Sequence, residues 1–172
     1  MKIIITLALL TSSFAQAQFK SYQDFTKKAP SLVYSSEDLL VGGQPSYEEL
    51  KYLKSKGLEV VINLRQDGET EDFKNEKIWA EKLGLTYIKL PLSGNEINVR
   101  NSKKLAQLLK GKKNILLHCA SGNRVGGLLA IDAFISAKGN MSVDEALDFG
   151  RQRGLKSLEM QVKNQLDSVG KN

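Results

Sequence analysis

An apolar run, Asn114 to His118, stops at a short polar segment, Cys119-Ala120-Ser121-Gly122-Asn123-Arg124, and a helical apolar pattern starts at Val125. A run so short and so apolar reads as a strand buried on both faces. Such a strand needs neighbours in a sheet and helices above and below it. The rest of the chain supplies both. Leu39-Leu40-Val41 is expected as a first strand. Leu58 to Leu64 is a second, with Val60-Val61-Ile62 at its centre, and Thr86 to Leu90 a third.

Helical segments alternate with these strands. Ser46-Tyr47-Glu48-Glu49 is a capping box, and the helix it opens is expected to end near Gly57. A charged loop from Arg65 to Asp72 precedes a helix carrying Trp79, Ala80 and Leu83. Another helix is expected over about Asn101 to Lys110, and one over Val125 to Ala137. Ser142 and Glu145 form a second capping box. Leu155, Leu158, Val162, Leu166 and Val169 mark a final amphipathic helix. The expected fold class is α/β, a mainly parallel sheet of four to five strands flanked by helices. At 172 residues, the chain suits one such domain.

The N-terminus reads as a secretory signal. Lys2 is its basic start, Ile3 to Leu10 its apolar stretch, and Ala15-Gln16-Ala17 its small-residue cleavage site. Residues 1–17 would be removed, leaving residues 18–172 as one exported domain in a periplasm or outside the cell. The apolar stretch is too short to span a bilayer, so no stable membrane insertion is expected after cleavage. In that compartment a chain with one cysteine either buries the thiol or keeps it for reactivity. One histidine and one cysteine cannot supply a zinc site, so no metal or other cofactor is expected.

The formal net charge is +6, with lysines clustered at Lys103-Lys104 and at Lys110, Lys112 and Lys113. These read as a solvated surface that weakly favours anionic substrates. No aromatic residues interleave with them, which argues against nucleic acid as a partner.

The segment after the central strand carries the chemistry. A strand–loop–helix order aims backbone N–H groups and the positive end of a helix at the loop. Gly122 permits the dihedrals of an anion-binding nest, and Arg124 adds a planar cation suited to oxyanions. The same surroundings favour the thiolate of Cys119, which is the nucleophilic form. The expected anion site is the backbone of Ala120, Ser121, Gly122 and Asn123 with Arg124. Gly126 and Gly127 would let the following helix approach the sheet closely. His118 is expected to make structural hydrogen bonds at the strand end.

His118, Cys119, Gly122 and Arg124 resemble the signature of the cysteine-dependent protein phosphatases. Val41-Gly42-Gly43-Gln44-Pro45, Val61-Ile62-Asn63-Leu64-Arg65 and the segment His118 to Arg124 are similar to landmarks of a narrower group. It is a bacterial dual-specificity-like family, also found as the phosphatase-like part of beta-lactamase-hydrolase-like proteins. The resemblance implies a phosphorylated or other oxyanionic substrate. It also implies an acid that protonates the leaving group. Glu96 is the candidate after the third strand, with Asp67 and Glu69 as rivals in the loop after the second. Arg65 would face the substrate or pair with Asp67 or Glu69.

Two departures stand out. The usual phosphatase loop has one residue more between cysteine and arginine, and a hydroxyl residue follows its arginine. Here Val125 holds that second place. The shorter loop also resembles that of rhodanese sulfurtransferases. Three functions follow, in this order of preference. The first is a phosphate-monoester hydrolase working through a phosphocysteine. The second is a sulfurtransferase using a Cys119 persulfide. The third is a catalytically silent anion-binding module.

Overall fold

The computed structural model of the chain describes residues 25, 27–69 and 73–170, so the expected signal segment lies outside the described residues. Five strands form one sheet: β1 (Leu32–Ser35), β2 (Leu39–Gly42), β3 (Val60–Asn63), β4 (Thr86–Lys89) and β5 (Ile115–His118). Their order is β1-β2-β5-β3-β4. Every neighbouring pair is parallel except β1–β2, which is antiparallel. The expected α/β class is therefore the observed one. The sequence reading lacks only β1, a four-residue edge strand with an irregular register against β2.

β5 sits at the centre with all four residues buried, as its apolar run requires. Side chains alternate across the pleat. Leu40, Val61 and Leu116 point to one face, where they meet Leu50, Leu53 and Ala80. These come from the helices α1 (Tyr47–Ser55) and α2 (Phe73–Lys82). Val41, Ile62 and Leu117 point to the other face. There the sheet is covered by α3 (Val99–Leu109), α4 (Asn123–Ser136), α5 (Val143–Arg151) and α6 (Glu159–Val169).

The helix ends follow local chemistry. In α1 the Glu49 N–H donates to Ser46 Oγ at 3.2 Å, and the Ser46 N–H donates to Glu49 Oε2 at 2.7 Å. α5 opens with the same reciprocal pair between Ser142 and Glu145. α3 starts at Val99, two residues earlier than expected, because Asn98 caps it by accepting from the Asn101 N–H at 3.0 Å. α6 starts at Glu159, so Leu155 and Leu158 lie in the turn before it.

α4 has no polar face from Val125 to Ile131, all of which are buried. It packs against α3, α5 and α6. Gly126 and Gly127 serve these helices rather than the sheet, a correction to the expectation above. A Cβ on Gly126 would lie 2.3 Å from the Leu155 backbone nitrogen, and one on Gly127 would lie 2.9 Å from Ile97 Cγ2. The turn between α5 and α6 thus rests directly on the start of α4. Among the described residues no helix is long and apolar enough to cross a membrane.

Candidate active site

The C-terminal end of β5 delivers Cys119 into a loop that neighbouring strands hold from the side. The Cys119 N–H donates to the Gly42 carbonyl, and the Gln44 N–H to the Ala120 carbonyl at 3.2 Å. Gly43 and Ser121 form an isolated bridge. A Cβ on Gly43 would sit 2.8 Å from the Ala120 carbonyl oxygen, so only glycine lets the two backbones meet. Gly122 then turns the chain at φ 83°, in the left-handed region, and precedes α4 as its N-cap. Ala120 and Ser121 are exposed on this loop, whereas Cys119 is almost fully buried.

α4 begins at Asn123, so Asn123 and Arg124 lie in its first turn rather than in a free loop. The unbonded N–H groups of that turn project toward the site of the thiol. The Asn123 side chain is committed elsewhere. Its Oδ1 accepts from the Lys156 N–H at 2.8 Å, and its Nδ2 donates to Ser157 Oγ at 2.7 Å. Any contact Asn123 makes with an anion is therefore left to its backbone.

Arg124 gathers three segments of chain. Its Nη1 donates to the carboxylate of Glu69 at 2.5 Å and to the Leu92 carbonyl at 2.8 Å, with a longer contact to Leu64. Its Nη2 donates to the other Glu69 oxygen at 2.6 Å. The Glu69 fork holds the guanidinium protonated more firmly than usual; burial opposes this, and Cys119 adds to it. In Glu69, burial works against ionisation, but Arg124, the Gln66 N–H and Arg65 together hold the carboxyl below its ordinary range. Glu69 is therefore a carboxylate that orients Arg124.

Arg65 is fully buried. Its Nε lies 3.7 Å from Glu69, and its Nη1 donates to Gln44 Oε1. Of the two carboxylates proposed as its partner, the structure brings it to Glu69. Asp67 is exposed and ion-paired with Lys89. Glu96 is exposed and accepts from the Ser93 N–H at 2.8 Å, capping a single 3-10 turn, Gly94–Glu96. That bond holds its carboxyl below the ordinary range.

A second carboxylate, Glu76 of α2, is not among the site residues read from the sequence. It is fully buried, 2.6 Å from His118 Nε2. Its other oxygen accepts from Gln44 Nε2 at 2.7 Å and from Asn63 Nδ2 at 3.1 Å. Asn63 in turn accepts from the Arg65 N–H at 2.7 Å and donates to Tyr87 Oη at 2.9 Å. Burial first, then the nearby Glu76 charge, pushes the Tyr87 hydroxyl up to about 12. The three sequence landmarks thus meet on one buried carboxylate: Gln44 from the first, Asn63 from the second, and His118 from the third. His118 makes structural hydrogen bonds, as expected. Its Nδ1 faces the Cys119 carbonyl at 3.2 Å, an acceptor, so Nδ1 carries a proton.

The chain is similar to known proteins. The family model described as DSP-PTPase phosphatase fused to NAD+ kinase matches residues 12–167. Beta-lactamase hydrolase-like proteins from two strains of Xylella fastidiosa are 30% identical over 127 residues, which is 72% of this chain. The chain spans 29% of the length of these curated relatives. A Neisseria meningitidis protein assigned as a phosphatase superposes with TM-score 0.62 at 24% identity, over 76% of this chain and 94% of that one. P. aeruginosa TpbA in complex with phosphotyrosine superposes with TM-score 0.62 at 12% identity, over 90% and 91% of the two chains. These two likenesses establish the fold.

Proposed function

Because the chain belongs to the DSP-PTPase phosphatase family, we propose that it hydrolyses phosphate monoesters through a phosphocysteine intermediate. One observation carries the chemistry: Arg124, held in place by Glu69, lies in the first turn of α4, directly after the loop that Cys119 opens. In the first step the Cys119 thiolate attacks phosphorus. The S–P bond forms as the bond to the leaving oxygen breaks. Backbone N–H groups of Ala120, Ser121, Gly122 and Asn123, with Arg124, stabilise the charge on the three remaining oxygens. Water then attacks phosphorus, the S–P bond breaks, and inorganic phosphate leaves with the thiolate restored.

The leaving oxygen takes a proton from Asp67, which returns when water is deprotonated in the second step. Glu69 is gripped by both Arg124 nitrogens and Glu96 is tied into its own turn by the Ser93 N–H, whereas Asp67 is exposed and held by the flexible side chain of Lys89 alone, which favours it for the task. The family match and the structural neighbours do not favour a sulfurtransferase or a silent anion-binding module.

The test is hydrolysis of an aryl phosphate against thiocyanate formation from thiosulfate and cyanide, with Cys119→Ser as control. Phosphate release is expected to fall about a thousandfold or more in that variant. Release unchanged by the substitution, or thiocyanate formed without phosphate, would sink the reading. Asp67→Asn is expected to cost about a hundredfold with phenyl phosphate and little with para-nitrophenyl phosphate, whose leaving group needs no proton. If Glu96→Gln shows that pattern instead, the acid is Glu96.

A further inference from the structure

Gln44 stands between the two groups of residues that hold the ends of the cysteine loop. At one end His118, the residue before Cys119, has its Nε2 2.6 Å from the buried Glu76. At the other end Arg124 is gripped by Glu69, which lies 3.7 Å from Nε of the buried Arg65. The half-buried side chain of Gln44 joins them. Its Nε2 donates to Glu76 Oε2 at 2.7 Å and to the Pro45 carbonyl at 3.1 Å, and its Oε1 accepts from Arg65 Nη1. Polar contacts therefore run without a break from His118 through Glu76, Gln44, Arg65 and Glu69 to Arg124.

The neighbours account for the residue type. A guanidinium only donates and a carboxylate only accepts. A neutral amide offers an acceptor to Arg65 and a donor to Glu76, and these two partners fix which way it points. A carboxylate in its place would face Glu76 with like charge, and a cation would face Arg65. The backbone of Gln44 is placed by the loop itself. Its N–H donates to the Ala120 carbonyl at 3.2 Å, and the preceding Gly43 bridges Ser121. Asn63 also joins Glu76 to Arg65, but it does so at the Arg65 N–H, whereas Gln44 reaches the guanidinium.

We propose that Gln44 is a positioning residue that sets Cys119 and Arg124 together, by joining the carboxylate behind His118 to the carboxylate that orients Arg124. The proposal rests on the phosphatase reading above and deepens it at the same site. Neither catalytic group settles independently of the other. Their alignment matters because a misplacement of about 1 Å in a reacting group can cost about a hundredfold in rate.

The test is a set of double-mutant comparisons on kcat for aryl phosphates, with urea midpoints to show that each variant is folded. Gln44→Met keeps the length of the side chain and removes both polar ends. It is expected to lower kcat about tenfold. Phenyl phosphate and para-nitrophenyl phosphate should lose alike, because Gln44 serves the phosphoryl group and not the leaving oxygen. Gln44 and Glu69 share Arg65 as a partner. Gln44→Met combined with Glu69→Gln should therefore fall no more than about threefold below the worse single variant. Losses that multiply would overturn the proposal, and so would full activity in folded Gln44→Met. Gln44→Glu serves if Gln44→Met does not fold. It keeps an acceptor for Arg65 but sets a like charge against Glu76, so adding Glu76→Gln should raise its kcat. A double variant no faster than Gln44→Glu counts against the linkage. If wild type releases no phosphate, the phosphatase reading fails, and the single cysteine still reads the linkage by alkylation. Iodoacetate carries a charge that Arg124 attracts, and iodoacetamide does not. The preference of Cys119 for iodoacetate should fall by about threefold in Gln44→Met as Arg124 loses its place. An unchanged preference would overturn the proposal by itself.

Discussion

Glu76 and His118 illustrate how much of this site rests on residues that touch no substrate. The carboxylate is fully buried, accepts from Gln44 and Asn63, and lies against His118 Nε2. Glu76→Ala would leave His118, Gln44 and Asn63 with donors aimed at a void, and is expected to cost about 3–5 kcal/mol. Glu76→Gln behaves differently. Its amide oxygen can accept from Gln44 and Asn63, and its NH2 can donate to a neutral His118 that keeps its proton on Nδ1. That variant should fold with a loss of about 1 kcal/mol. Urea midpoints measure both losses. Because the chain has one histidine, its ring nitrogen resonances report the tautomer without ambiguity. Equal losses in the two variants would contradict the hydrogen-bond assignment.

At the scale of elements, α4 is the part on which the others converge. Its start holds Arg124, and its first turns are pressed between the sheet and three helices. The turn from Gln152 to Leu158 lies so close that Gly126 has no room for a methyl group. The obstructing atoms are backbone, which cannot rotate aside. Gly126→Ala is therefore expected to destabilise the protein by about 1–3 kcal/mol, despite the better helix propensity of alanine. It should also loosen the Asn123–Lys156 bond and lower activity. Thermal unfolding and aryl phosphate turnover check this, and an unchanged melting temperature would refute the packing argument. Leu155 and Leu158 belong to the same lesson. Their spacing continues the stripe of α6, but they fill space beside α4 from a turn.

For the whole molecule, two carboxylates join parts of the chain that are far apart in sequence. Glu49 of α1 accepts from the Ser31 N–H at 2.8 Å before β1, and Glu69 ties the loop after β3 to α4. Both are held below the ordinary carboxylate value of 4.5. In Glu49 burial again opposes ionisation and the bonds from Ser46 and Ser31 overcome it. A carboxyl depressed in the folded state binds a proton more readily when unfolded. The stability it contributes is fully present above its unfolded value, and it is lost as pH falls through its lower folded value. Urea midpoints of wild type should therefore fall as pH drops below about 4.5. The difference between wild type and Glu69→Gln should narrow over the same interval. A difference that stays constant into acid would contradict the assignment of Glu69 as a carboxylate bound to Arg124.

Local pattern was enough to read the parallel α/β fold, the central place of β5, the capping boxes and the cysteine loop with its arginine. These depend on residues adjacent in the chain or at fixed helical and strand spacings, so composition and order carry them. β1 was illegible because four residues at an edge have little periodicity, and their pairing comes from β2. The partners within the site were illegible for a stronger reason. Glu76 lies 42 residues from His118, Glu69 lies 55 from Arg124, and Lys156 lies 33 from Asn123. Among several carboxylates with similar local surroundings, nothing in the linear order distinguishes the one that folding brings to Arg124 from those left in solvent. The chain by itself determined that a thiol and a guanidinium would meet at the end of a buried strand. Only the packing of the sheet against α2 and α4 decided which carboxylates hold them there, because a buried charge is tolerated only where its partners already stand.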